Sequence, residues 1–167
     1  MRYLIGFGNY SAYDDSVGLR VIERVASEGR EEGFRAVDLS ANSLDLLSYC
    51  DRETEGILIV DSARMGKAPG DYAFFNPEDV ETRKTLEGIS THEGDLLKVL
   101  ALARELGSFI PPLAFMGIEP ETIKNEFGLS PALEARLEEY VRAAISRCRA
   151  PIWSAGSRTA SPPNPPA

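Results

Sequence analysis

The chain predicts an α/β fold, a three-layer sandwich in which helices flank a mostly parallel, twisted sheet of the phosphorylase/hydrolase-like kind. Three observations carry that prediction. Short uncharged runs rich in β-branched residues, such as Gly56-Ile-Leu-Ile-Val60, alternate with segments of helical periodicity. Acidic residues recur where those runs end, at Asp14-Asp15, Asp38 and Asp61. Length suits one domain, since 167 residues with a hydrophobic fraction of 43% bury a sizeable core.

Tyr3-Leu4-Ile5 with Phe7 form the expected first strand. Val17, Val21 and Val25 recur every fourth residue beside Ile22, with Arg20, Glu23 and Arg24 facing away, an amphipathic helix ending near Gly29. Phe34 to Val37 is the second strand, ending at Asp38. Ser43 to Cys50 is a short helix offering Leu44, Leu46 and Leu47. Gly56 to Val60 is the third strand, ending at Asp61, and Asp71 to Phe75 suits an edge strand. A polar stretch from Pro77 to Ile89 leads into a helix from Ser90 to Leu106, with Leu96, Val99, Leu100, Ala103 and Leu106 on one face. Leu113 to Ile118 is the last strand, and Ser130-Pro131 opens a final helix to about Cys148, with proline where its missing N–H costs nothing. The domain spans residues 1–150. Residues 151–167, rich in Pro, Ser and Ala, make a flexible tail.

The formal net charge of -8 argues against nucleic acid and anionic membrane surfaces, which select basic footprints. It suits a metal ion or a partner with a basic segment. Cys50 and Cys148 form no CxxC pattern, no apolar run is long enough to span a bilayer, and the start lacks a signal-peptide pattern. The expected compartment is the cytoplasm.

In open parallel sheets, sites gather beyond the carboxyl ends of the strands, near a switch in strand order. Asp14 and Asp15, Asp38 and Asp61 all fall on that rim. Two adjacent carboxylates at the start of a helix are costly unless a cation or a water-activating task wants them. The single histidine, His92, lies in Ser90-Thr-His-Glu93, which has capping-box spacing and puts it in the first helical turn. There the helix dipole disfavours imidazolium and keeps a neutral ring available to a metal. One imidazole with two carboxylates and open positions suits nickel or zinc better than magnesium. Each residue also has a plainer reading. Asp15 complements a helix N-terminus, Asp61 caps a turn, Asp38 is structural, and His92 is a solvated residue near a cap. Gly6-Phe-Gly8 lacks the third glycine of a dinucleotide fingerprint, because Ser11 stands there.

Gly6-Phe-Gly8-Asn9, followed by Asp14-Asp15 and Gly18, resembles the N-terminal motif of the hydrogenase maturation proteases. The resemblance continues through Leu58-Ile-Val-Asp61-Ser-Ala63, Ser90-Thr-His92, Gly117-Ile-Glu-Pro120 and Phe127-Gly-Leu-Ser-Pro131, in the family's order and over roughly residues 2 to 148. It implies an endopeptidase that removes a short C-terminal peptide from the nickel-loaded precursor of a nickel–iron hydrogenase large subunit. It also implies that Asp15, Asp61 and His92 engage nickel supplied by that precursor, with Asp14, Asp38, Gly8 and Asn9 in support. A non-enzymatic, metal-recognising assembly factor on the same fold is the alternative, and a small-molecule or nucleotide hydrolase a third. The sequence departs from the family in two places. Asp38-Leu39-Ser40-Ala41 stands where Asp-Gly-Gly-Thr is usual, with Ser43 where another glycine is common, and Ser16 replaces the glycine common after the acidic pair. The first departure bears on choice of partner.

Overall fold

Five strands form one sheet in the order β2-β1-β3-β5-β4. They are β1 (Arg2–Phe7), β2 (Arg35–Ser40), β3 (Gly56–Ser62), β4 (Tyr72–Phe75) and β5 (Leu113–Ile118). The helices are α1 (Val17–Ser27), α2 (Thr91–Glu105), α3 (Pro131–Glu134) and α4 (Leu137–Arg149). The structure, a computed structural model, describes residues 1–79 and 91–150, and of residues 91–94 the backbone alone. The proposed cap Ser90 and the Pro-rich tail therefore lie outside the described residues. Pairing is parallel throughout β2-β1-β3-β5, and β4 joins β5 antiparallel as an edge strand.

The core lies on both faces of the sheet, as the uncharged strands require. Leu58 and Val60 of β3 face one side, with Val17, Val21, Ile22 and Val25 of α1 and Tyr140, Val141 and Ala144 of α4. Ile57 and Ile59 face the other, with Leu96, Val99 and Leu100 of α2 and Leu46.

Several elements differ from the sequence expectation. β2 begins at Arg35 and runs through Asp38 to Ser40, because this half-exposed edge strand follows β1 to a register shift between Gly6 and Phe7. β3 continues through Asp61 to Ser62, because β5 pairs with it as far as Ser62–Ile118. Residues Ser43–Tyr49 wind as a 3-10 helix. The last helix is two pieces. Arg136, with φ -106 and ψ 6, interrupts it and reaches out to Asp71 (2.8 Å) and Glu139 (2.9 Å).

Two devices fix the start of α1 against the sheet. The first is absence of side chains. A Cβ on Gly18 would lie 2.2 Å from the Val60 carbonyl oxygen and 2.8 Å from that of Phe7. α1 therefore begins directly against the carboxyl ends of β1 and β3. Gly8, at φ +145, is equally constrained, since a Cβ there would lie 2.1 Å from the Asp15 carbonyl oxygen. The second is Asp14, fully buried in the 3-10 turn Tyr13–Ser16. Its carboxylate accepts hydrogen bonds from the backbone N–H of Glu121 and Thr122 (both 3.0 Å) and Ser130 (2.7 Å). The Tyr13 N–H donates to the Glu126 carbonyl at 2.8 Å, and the Asp14 N–H to that of Thr122 at 3.3 Å. One side chain thus clamps the loop after β1 to the loop after β5.

Two outcomes follow for stability. Gly18→Ala forces α1 off the strand ends and lowers the unfolding free energy by roughly 1–3 kcal/mol in urea titration; an unchanged midpoint and slope would contradict the close seating. Asp14→Ala strands three amides whose unmade bonds cost about 1–3 kcal/mol each, so its unfolding midpoint should drop at least as far. A wild-type midpoint in Asp14→Ala would show that the clamp contributes nothing.

Candidate functional site

β1 is followed by α1 and then by β2 on its outer side, whereas β3 lies on its inner side. The order therefore switches between β1 and β3, and the crevice beyond their carboxyl ends is where an open α/β sheet binds its ligand. Both central carboxylates sit there. Asp15 arrives from the loop after β1, delivered by the 3-10 turn that Gly8 and Asp14 hold in place, and is 5% exposed. Asp61 is the penultimate residue of β3, opposite Gly117 of β5, and is 2% exposed. The next residue, Ser62, is also buried, and its hydroxyl donates to Asp15 Oδ1 at 2.9 Å. A side-chain bond therefore ties Asp15 to the strand terminus that carries Asp61.

Strand alternation refines the arrangement. Asp61 shares the parity of Ile57 and Ile59, whose face α2 covers; Ser62 shares that of Leu58 and Val60, whose face α1 covers. α2 packs on the Asp61 face through Leu96, Val99 and Leu100. His92 is the second residue of that helix. The helix that carries it thus covers the Asp61 face, while the His92 side chain lies outside the described residues. Among the described residues, no three His, Cys, Asp or Glu side chains converge as a metal cage.

The other candidates have local work. Asp38 is exposed. Its Oδ1 accepts from the Ser40 N–H (2.8 Å) and hydroxyl (2.9 Å), which holds Ser40 at φ 49. Its Oδ2 accepts the Tyr10 hydroxyl at 2.9 Å. Burial and the neighbouring Asp38 carboxylate push the Tyr10 phenol up to about 12, so it stays a proton donor at neutral pH. Asn9 is exposed and accepts from the Ser11 N–H (2.9 Å) and hydroxyl (2.7 Å), closing an Asx turn. Gly8 supplies the close approach already described, and its N–H donates to Ser40 at 3.0 Å. Asp38, Asn9 and Gly8 thus shape the loops beside Asp15.

Two neighbours had not been singled out from the sequence. Ser62 is one. Glu119, at the end of β5, is the other: it is 7% exposed and accepts the Met65 N–H at 2.6 Å. Both stand inside blocks of the family resemblance, Ser62 in Leu58-Ile-Val-Asp61-Ser-Ala63 and Glu119 in Gly117-Ile-Glu-Pro120. A depression of about 810 Å³ lies at the opposite edge, near Met1, Tyr3, Arg35 and Glu55. Glu55 is engaged there by the N-terminal ammonium at 3.0 Å. It shares no residue with the Asp15–Asp61 rim, and the switch-point geometry favours the rim.

The sequence profile of the hydrogenase maturation protease family matches residues 19–147, a stretch that contains Asp61 and His92 and begins just past Asp15. The hydrogenase 2 maturation protease of Escherichia coli K12 is 30% identical over 155 residues, covering 89% of this chain and 92% of that protein. The hydrogenase maturating endopeptidase HybD from E. coli superposes with a TM-score of 0.74 at 25% identity, over 89% of this chain and 93% of the other. The nickel–iron hydrogenase maturation protease HybD from Thermococcus kodakarensis shares the fold, with a TM-score of 0.69 at 24% identity over 89% of this chain and the whole of the other. Fold, profile and identity along nearly the full length agree, and the chain is a peptidase belonging to the hydrogenase maturation protease family.

Proposed function

We propose that this protein removes a short C-terminal peptide from the nickel-loaded precursor of a nickel–iron hydrogenase large subunit, and that Asp15, Asp61 and His92 engage the nickel carried by that substrate. The cytoplasm, where such precursors would be met before assembly, is the proposed compartment. The observation that carries the reading is that two nearly buried carboxylates, Asp15 and Asp61, stand at the carboxyl ends of β1 and β3, with Asp15 bonded to Ser62, the residue next to Asp61. Withdrawing two like charges from water at one sheet edge costs free energy that a cation offsets. The packing of α2 on the sheet face of Asp61, with His92 as its second residue, supports His92 as the third ligand.

The chemistry divides among the chain's own residues. Three ligands leave the metal's coordination sphere open, so the ion keeps its bonds to the client and orients the adjoining peptide. Hydrolysis needs a group to take a proton from water as it attacks the scissile carbonyl. Asp14 is saturated by three backbone amides, which leaves that task to Asp15. Ser62 holds one Asp15 oxygen and so fixes the direction of the other.

Incubation with the nickel-loaded precursor, followed by intact-mass spectrometry, should show loss of one C-terminal peptide, and the nickel-free precursor should stay whole. Asp15→Asn and Asp61→Asn should each lower the cleavage rate by about 10²-fold or more with an unchanged circular-dichroism spectrum. Wild-type rates in both variants would remove the assigned roles. A precursor that binds yet stays whole would favour the assembly-factor reading.

A further inference from the structure

The segment that follows Asp61-Ser62 has a construction the peptidase reading leaves unused. Residues Ala63 to Gly70 leave the sheet edge beside the carboxylate pair and are held at both ends. The Ala63 N–H donates to Ile118 at 2.9 Å, the Met65 N–H to the buried Glu119 carboxylate at 2.6 Å, and the Gly70 N–H to the Glu119 carbonyl at 2.8 Å. Met65 turns inward: a Cβ on Gly117, the partner of Asp61, would lie 3.1 Å from its sulfur. Between these ties the chain turns outward through Gly66 at φ 72 and presents Arg64 and Lys67 to solvent.

Most cations among the described residues pair with a carboxylate; Arg64 and Lys67 do not, nor do Arg35 and Arg52. The chain holds 26 acidic residues against 18 basic ones, so carboxylate partners abound. Arg2, Arg20, Arg30, Arg136 and Arg142 each pair with one. Among the described residues, Arg64 and Lys67 have no ion pair or hydrogen-bonded side-chain partner, although they follow Asp61 within six residues. A loop anchored by a buried carboxylate and by Met65 keeps two unneutralised cations at the rim of an anionic crevice. That charge pattern complements a ligand that is cationic at its centre and anionic beside it.

We propose that Arg64 and Lys67 form a specificity rim that binds a carboxylate of the client polypeptide next to the cleavage site. The proposal rests on the peptidase reading above. Arg64 supplies a fork that holds a carboxylate in fixed orientation, and Lys67 a mobile point charge. Glu119 acts beneath them as a positioning residue for the loop.

The test uses the full chain and the nickel-loaded precursor. The double variant Arg64→Gln/Lys67→Gln changes two exposed side chains and keeps the fold. It should raise KM about tenfold with kcat retained, and the salt dependence of KM seen in the wild type should flatten. Neutralising the client's Asp and Glu residues nearest the cleavage site to Asn and Gln should raise KM for the wild type and leave it unchanged for the double variant. Arg64→Lys on its own should recover part of the loss, and Glu119→Gln, which keeps an acceptor for Met65, should stay near wild type while Glu119→Ala follows the double variant. Equal KM for wild type and double variant, with cleavage intact, overturns the rim and leaves the peptidase reading standing. A wild type that binds the precursor without cutting it overturns the peptidase reading; the rim is then judged on Kd, which must weaken in the double variant.

Discussion

A helix begins against two strand carbonyls only where its residue has no side chain. Gly18 is that residue, and its seat against Val60 and Phe7 determines where everything at the carboxyl edge of the sheet lies. If α1 stood off by the width of a methyl group, the 3-10 turn before it would lift as well. Asp15 would then lose its reach to Ser62 on β3. The close packing at Gly8 against the Asp15 backbone fixes the same turn from the other side. Interiors packed at crystal density do not absorb such shifts, so three glycine-to-backbone contacts act as a jig for one carboxylate.

The two loops that frame the crevice are each built on a buried acid that takes no exposed part in recognition. Asp14 binds the segment after β5, and Glu119 binds the segment after β3. A charged acceptor satisfied by backbone N–H groups is a strong and oriented tie that uses the backbone of the tied loop. A division of labour results: Asp14 and Glu119 hold backbone, while metal and client contact are the roles proposed for Asp15, Asp61, Arg64 and Lys67.

Much of this was legible in the sequence, for local reasons. β5 follows Pro111-Pro112 as an uninterrupted apolar run, and its observed bounds match those expected. β3 and α1 were marked by their periods, and Asp15 and Asp61 by their positions after strands. What could not be read depends on distant partners. Asp14 looks like a twin of Asp15, but its partners are backbone amides more than a hundred residues away, which leave no trace in residue type. The break at Arg136 falls within a run of good helix formers and is accompanied by a long-range pair to Asp71. β2 was displaced because a half-exposed edge strand carries little alternation. The pairing between Ser62 and Asp15 was invisible for the same reason as the Asp14 clamp: a serine after a strand-end aspartate has many possible roles.

The central claim is that Asp15 and Asp61, at the carboxyl ends of β1 and β3, meet the metal of the substrate. X-ray absorption at the nickel edge tests it most directly, on the wild-type protein mixed with nickel-loaded large-subunit precursor and frozen before turnover. The account predicts additional oxygen or nitrogen neighbours at nickel on complex formation, reduced in number in Asp15→Asn and Asp61→Asn complexes. A nickel spectrum identical in free and protease-bound precursor, with binding demonstrated in the same sample, would contradict it.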